Sequence, residues 1–128
     1  MTSIATAVLL DGPEPTMRSL PVNLPPSVHR YFSGRNARDF TVAASGFAPF
    51  AVVRDEGHDH LGPAAIRAWI ERSATRYADI AEPRSASRDG SSVEVLADVS
   101  GSFPGSPILL RFRFTLDQGQ IVRLEIKP

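Results

Sequence analysis

The feature that most constrains this chain is a change of hydrophobic period two-thirds of the way along it. Val93, Val95, Ala97 and Val99 alternate with Glu94, Leu96, Asp98 and Ser100. Ile108, Leu110, Phe112, Phe114 and Leu116 alternate with Leu109, Arg111, Arg113, Thr115 and Asp117, and Val122, Leu124 and Ile126 alternate with Arg123, Glu125 and Lys127. A period of two puts one set of side chains on each face of a strand, so these runs predict long strands with one covered face. Asp89-Gly90 and Asp117-Gln-Gly119 are short turn signals, which makes consecutive strands antiparallel neighbours. Pro104 and Pro107 belong to a connection or a sheet edge.

Upstream the period is helical. Pro25-Pro26 can open a helix, because the first N–H groups have no intrahelical partner, and Val28, Tyr31 and Phe32 then share one face up to Gly34–Asn36. Asp39 can cap a short second helix with Phe40, Ala43, Ala44 and Phe47 inward. Gly62-Pro63 opens a third, with Ile66, Trp69, Ile70, Ser73 and Tyr77 on one side and Arg67, Glu71, Arg72 and Arg76 on the other. Ala51–Asp55 reads as a strand between the second and third helices, with Gly57 allowing a turn. The expectation is α+β: three N-terminal helices packed on a strongly curved antiparallel sheet.

With 128 residues the chain fits one domain, which needs no staple to bury a core. It has no Cys, which excludes thiolate nucleophiles, Cys-ligated zinc and iron–sulfur clusters. Fourteen basic residues balance fourteen acidic ones, so no electrostatic footprint for nucleic acid or an anionic membrane exists. No window reaches the length of a membrane span, and Ile4–Leu10 lacks the flanks of a signal peptide, so a cytoplasmic protein is expected. Residues 1–24 carry Pro13, Pro15 and Pro21 and read either as a tail or as an arm on the domain or on a partner subunit. Residues 25–128 form the domain.

The run from Phe47 through Ala51-Val-Val-Arg-Asp55-Glu-Gly57 to Gly62, followed by Pro63-Ala-Ala-Ile66-Arg-Ala-Trp69-Ile70, resembles the nuclear transport factor 2-like superfamily. More narrowly it is similar to small bacterial SnoaL-like proteins of the polyketide cyclase and ketosteroid isomerase type. The resemblance covers about residues 25–127. It implies a cone-shaped α+β fold with an apolar pocket, shared by isomerases, cyclases, lyases and non-enzymatic binders. Phe50 stands where the family motif has its first Asp.

Asp55 ends an apolar strand on the face of Ala51 and Val53. Such a carboxylate loses water, its pKa rises, and it suits proton transfer near neutral pH. The resemblance places Asp55 on the isomerases' general base and Tyr31, in the pair Arg30-Tyr31, on their oxyanion tyrosine; both have plain alternatives, a paired Asp and a packed Tyr. The isomerases' second acid has no counterpart, since Ile108, Leu110, Phe112 and Phe114 are all apolar. The late acids Asp117 and Glu125 fall in a turn and on a polar strand face.

His58 and His60 share a strand face. They could stand at the pocket rim as proton shuttle or donor, pair on a metal with Glu56, or be solvated; a rim position is taken here, with no metal and no cofactor. Tyr31, Phe47, Val53, Asp55, Trp69, Phe112 and Phe114 are expected to line the cone, and the Trp69 indole needs an acceptor, for which Asp55 is one choice. Arg111, Arg113 and Arg123 form a basic stripe, read as a solvated face or a dimer surface. The expected ligand is a small apolar or aromatic molecule. The expected activity is cofactor-free isomerase or lyase chemistry, with a binding or interaction module as the alternative, and the expected assembly is a homodimer through the sheet.

Overall fold

The computed structural model describes residues 22–128; the proposed arm lies outside the described residues up to residue 21. α1 (Pro26–Asn36) and α2 (Phe40–Ala44) come first, then a hairpin of β1 (Phe47–Asp55) and β2 (His58–Leu61), then α3 (Gly62–Tyr77). β3 (Ile80–Asp89), β4 (Ser92–Ser100), β5 (Ile108–Asp117) and β6 (Gln120–Lys127) complete a curved six-stranded sheet in the order β2-β1-β6-β5-β4-β3. α1 buries Val28, Tyr31 and Phe32, as its spacing requires. Asp39 caps α2, its carboxylate accepting from the Val42 N–H at 3.2 Å. Ile66, Trp69, Ile70 and Ala74 are the buried face of α3.

The alternation in β4 and β5 is realised as predicted: Val93, Val95, Ala97 and Val99 are buried, as are Phe112, Phe114 and Leu116. Each such Val, Leu or Phe side chain contributes about 1.5–3 kcal/mol when fully removed from water. Val93 faces Phe114 and Val95 faces Phe112 across the ladder, and Phe114 then faces Leu124, so one apolar sheet face meets the helices.

Three details depart from the sequence reading. β1 and β6 pair in parallel, Val53 beside Leu124, whereas an all-antiparallel sheet was expected. Turn signals fix only sequential neighbours, and these two strands are separated by most of the chain. Phe47 was expected on α2 but begins β1; Pro49, with no N–H to donate, is absorbed by a register shift between Phe47 and Val52. β3 carries no clean alternation, because only Ala81 and Pro83 are covered and the rest of this edge strand is exposed. An edge position is also why Pro83 is tolerated there.

The two short helices meet tightly. A Cβ added at Gly34 would lie 2.5 Å from the Ala43 nitrogen, so only glycine permits this crossing.

Candidate functional site

Between the helices and the sheet lies a cavity of about 710 Å³, a volume suited to a small organic ligand. Its walls come from α1 (Tyr31, Arg35), the end of β1 (Asp55), α3 (Trp69, Ser73) and the apolar line Ile108, Leu110 and Phe112 of β5. β5 gives the cavity an apolar stretch, while Glu125 and Lys127 of β6 also line it.

Asp55 ends β1 because Glu56 and Gly57 turn the chain with positive φ. Its inward side follows from strand alternation with Ala51 and Val53, both fully buried. The Trp69 indole N–H donates to Asp55 Oδ2 at 3.1 Å, a bond from α3 to β1. Loss of water raises the Asp55 pKa above the ordinary carboxylate value; the Trp69 hydrogen bond opposes this without cancelling it, and the Glu56 charge adds to it. Arg54 does not neutralise Asp55, since it bonds the Asp59 carboxylate at 2.9 Å.

Tyr31 stacks parallel to Trp69, with ring centroids 6.3 Å apart and planes within 6°, and meets Phe47, Phe112 and Phe114 at steep angles. Burial pushes its phenol above the usual range, against the pull of Arg35, so it stays a neutral donor at ordinary pH. One helical turn on, Arg35 pairs with Asp79, which follows α3: Nη1 bonds Oδ1, and Nη2 donates to Oδ2 at 3.3 Å. Burial alone would weaken the guanidinium's hold on its proton, but Tyr31 and Asp79 outweigh it and the group remains a cation.

The structure therefore brings Tyr31, Asp55, Trp69 and Phe112 together on one cavity. Phe47, Val53 and Phe114 do not line it; they are buried behind the wall, where the helices close over the sheet. His58 and His60 are also absent from it. They border an adjoining recess of about 330 Å³ with Arg72 and Arg76, and Asp55, Glu56, Trp69, Ser73 and Tyr77 are shared between the two spaces. His60 stacks on Trp69 at 5.8 Å, and burial, then Arg72, lowers its pKa from the usual 6.5. His58 Nδ1 lies 3.0 Å from the Glu56 carbonyl. Among the described residues no group of three His, Asp or Glu side chains is placed to hold a metal.

Arg35 and Asp79 are the members of the site that the sequence reading missed. Arg35 lies four residues after Tyr31 and so shares its helix face. That spacing was the available signal. Its position in the last turn of α1 made it read as part of the helix end, and nothing local ties it to Asp79.

A family model for the SnoaL-like domain matches residues 28–124. No curated protein matches the chain. Among solved structures, a candidate polyketide cyclase from Sinorhizobium meliloti is 42% identical, with a TM-score of 0.79 over 81% of this chain and 95% of that one. A protein from Catenulispora acidiphila with a ketosteroid isomerase-like fold, solved with trimethylamine, is 17% identical, with a TM-score of 0.72 over 83% of this chain and 87% of that one. An uncharacterised cystatin-fold protein from Novosphingobium aromaticivorans is 18% identical, with a TM-score of 0.68 over 80% and 95%. The last two share the fold alone. The chain belongs to the SnoaL-like domain family.

Proposed function

We propose that this protein takes a small, largely apolar molecule into the 710 Å³ cavity and moves a proton there with Asp55 as general base, without a cofactor. The reaction class is isomerisation, cyclisation or elimination beside a carbonyl. One observation carries the reading: Asp55 stands at the cavity wall with a raised pKa, one oxygen fixed by Trp69 and no cation paired to it. A base poised this way takes a carbon-bound proton more readily than a solvated carboxylate. Tyr31 offers a neutral donor to the oxygen on which charge would develop. The similarity to a candidate polyketide cyclase agrees with this chemistry.

A non-catalytic binding module is the second reading. It is favoured by the apolar line Ile108, Leu110 and Phe112, which puts no acid on the β5 wall of the cavity. In either case we expect a homodimer through the outer sheet face, where Leu109 is half-exposed beside Arg111 and Arg113.

The chain's one tryptophan lies in the cavity, which supplies the test. Titration with 2-acetylnaphthalene should quench Trp69 emission saturably, and Asp55→Asn should retain that binding. Emission unchanged by the ketone would overturn the cavity reading.

A further inference from the structure

The recess beside the cavity holds a set of cations and donors that the proton transfer at Asp55 does not use. Its α3 wall is one stripe at helical spacing: Trp69, then Arg72 and Ser73, then Arg76 and Tyr77. Arg72 and Arg76 therefore stand one above the other, where like charges repel, and among the described residues neither makes an ion pair. Aromatic rings hold the donors in place. The Arg76 guanidinium carbon lies 5.0 Å from the centre of the Tyr77 ring, a cation–π contact that keeps its head at the recess. His60 comes in from β2, stacked on Trp69 at 5.8 Å. After burial, Arg72 is the strongest influence lowering the His60 pKa, so these two donors are close neighbours.

The position of the recess suggests how a ligand would use it. Trp69 stacks on Tyr31, which borders the cavity, and on His60, which borders the recess. The two spaces adjoin along Asp55, Trp69, Ser73 and Tyr77, so one molecule can place an apolar body in the larger and a short polar chain in the smaller. Two guanidinium groups match a planar anion of two oxygens. The acids of the recess set how much charge it accepts. Asp55 and Glu56 stand on its β1 side, and each repels further negative charge. A monoanion meets the two arginines with less of that repulsion than a phosphate ester, which carries nearly two charges at neutral pH.

We propose that the recess is a carboxylate subsite, in which Arg72 and Arg76, with His60 as a third donor, select ligands bearing a carboxylate on a short chain beyond the apolar body. This rests on the reading of the cavity as a small-molecule site, and narrows its ligand to an apolar acid. No bond forms or breaks in the recess.

The test uses the full chain, equilibrium dialysis at neutral pH and four probes built on one aryl ketone. These are 2-acetylnaphthalene, 2-naphthoylpropanoate, its primary amide, and 2-naphthoylethylphosphonate. The keto acid should bind about tenfold or more tighter than its amide. Arg72→Met combined with Arg76→Met should bring acid and amide to equal affinity; both side chains are exposed, so the fold is not at stake. A preference for the acid that survives the double replacement would place the carboxylate against Arg35, Arg54 or Lys127 of the cavity instead, and would overturn the inference. Equal affinity of acid and amide for the wild type, with the ketone bound, would overturn it too and leave the cavity reading standing. The phosphonate binding tighter than the keto acid would overturn the choice of a carboxylate. Failure of all four probes to bind would overturn both readings.

Discussion

Replacing Asp55 with Asn leaves the shape of the site and removes its charge. Two effects oppose each other. The amide oxygen can still accept from the Trp69 indole, but a charge-assisted bond of about 1.5–3 kcal/mol becomes a neutral one of about 0.5–1.5 kcal/mol, a loss of about 1 kcal/mol. Against this stands the cost of holding an ionised carboxylate partly out of water with no paired cation. The raised pKa of Asp55 means that this cost exceeds the benefit of the bond. Its partial exposure screens some of the difference. Asp55→Asn should therefore be more stable at neutral pH by on the order of 1 kcal/mol, a rise of about 4 °C in Tm for a domain of this size. The pH dependence follows from the same sign. An acid whose folded pKa is raised contributes stability that is present below its unfolded pKa and lost as pH rises through the folded value. The mutant's advantage should be full at pH 8 and shrink as pH falls below the folded pKa of Asp55. Thermal melts of both proteins across that range measure it. A mutant that melts lower than wild type at pH 8 would show that Asp55 is held by partners rather than poised, and would refute the base assignment.

Three further outcomes are expected. Gly34→Ala forces a methyl group within 2.5 Å of the Ala43 nitrogen and 2.9 Å of the Asp39 carbonyl oxygen, so urea titration should show a loss of about 1–3 kcal/mol; an unchanged midpoint would contradict the tight crossing of α1 and α2. Trp69 emission should titrate with His60, with a midpoint below the usual histidine value of 6.5, and His60→Asn should abolish the step. Light scattering should give twice the 13.9 kDa chain mass, and a monomer at micromolar concentration would remove the sheet-face dimer.

Periodicity revealed the parts of the fold whose order is local. Val28, Tyr31 and Phe32 on α1, the alternation of β4 and β5, and the Asp39 cap each follow from residues close in sequence. The parallel pairing of β1 with β6 was not legible, because it joins residues such as Val53 and Leu124 through tertiary packing alone. β3 was hidden for a different reason: an edge strand with both faces largely wet has no hydrophobic period to read. The site divides the same way. Asp55 and its Trp69 donor could be inferred, one from strand alternation and one from the need of a buried indole for an acceptor. Phe47, Val53 and Phe114 could not be separated from the true lining, since apolar side chains in a core and on a cavity wall have the same composition. Arg35 and Asp79 remained invisible because the contact joins α1 to the segment after α3.

The central claim is that Asp55 accepts a carbon-bound proton inside the cavity, and exchange of that proton with solvent tests it without knowledge of the natural substrate. Aryl ketones such as 2-acetylnaphthalene can be incubated with the protein in deuterated buffer and the loss of the α-proton signal followed by NMR. The account predicts that wild type accelerates exchange and that Asp55→Asn, still binding the ketone, loses about 100-fold or more of that acceleration. Equal exchange rates for ketone bound to the two proteins would contradict it.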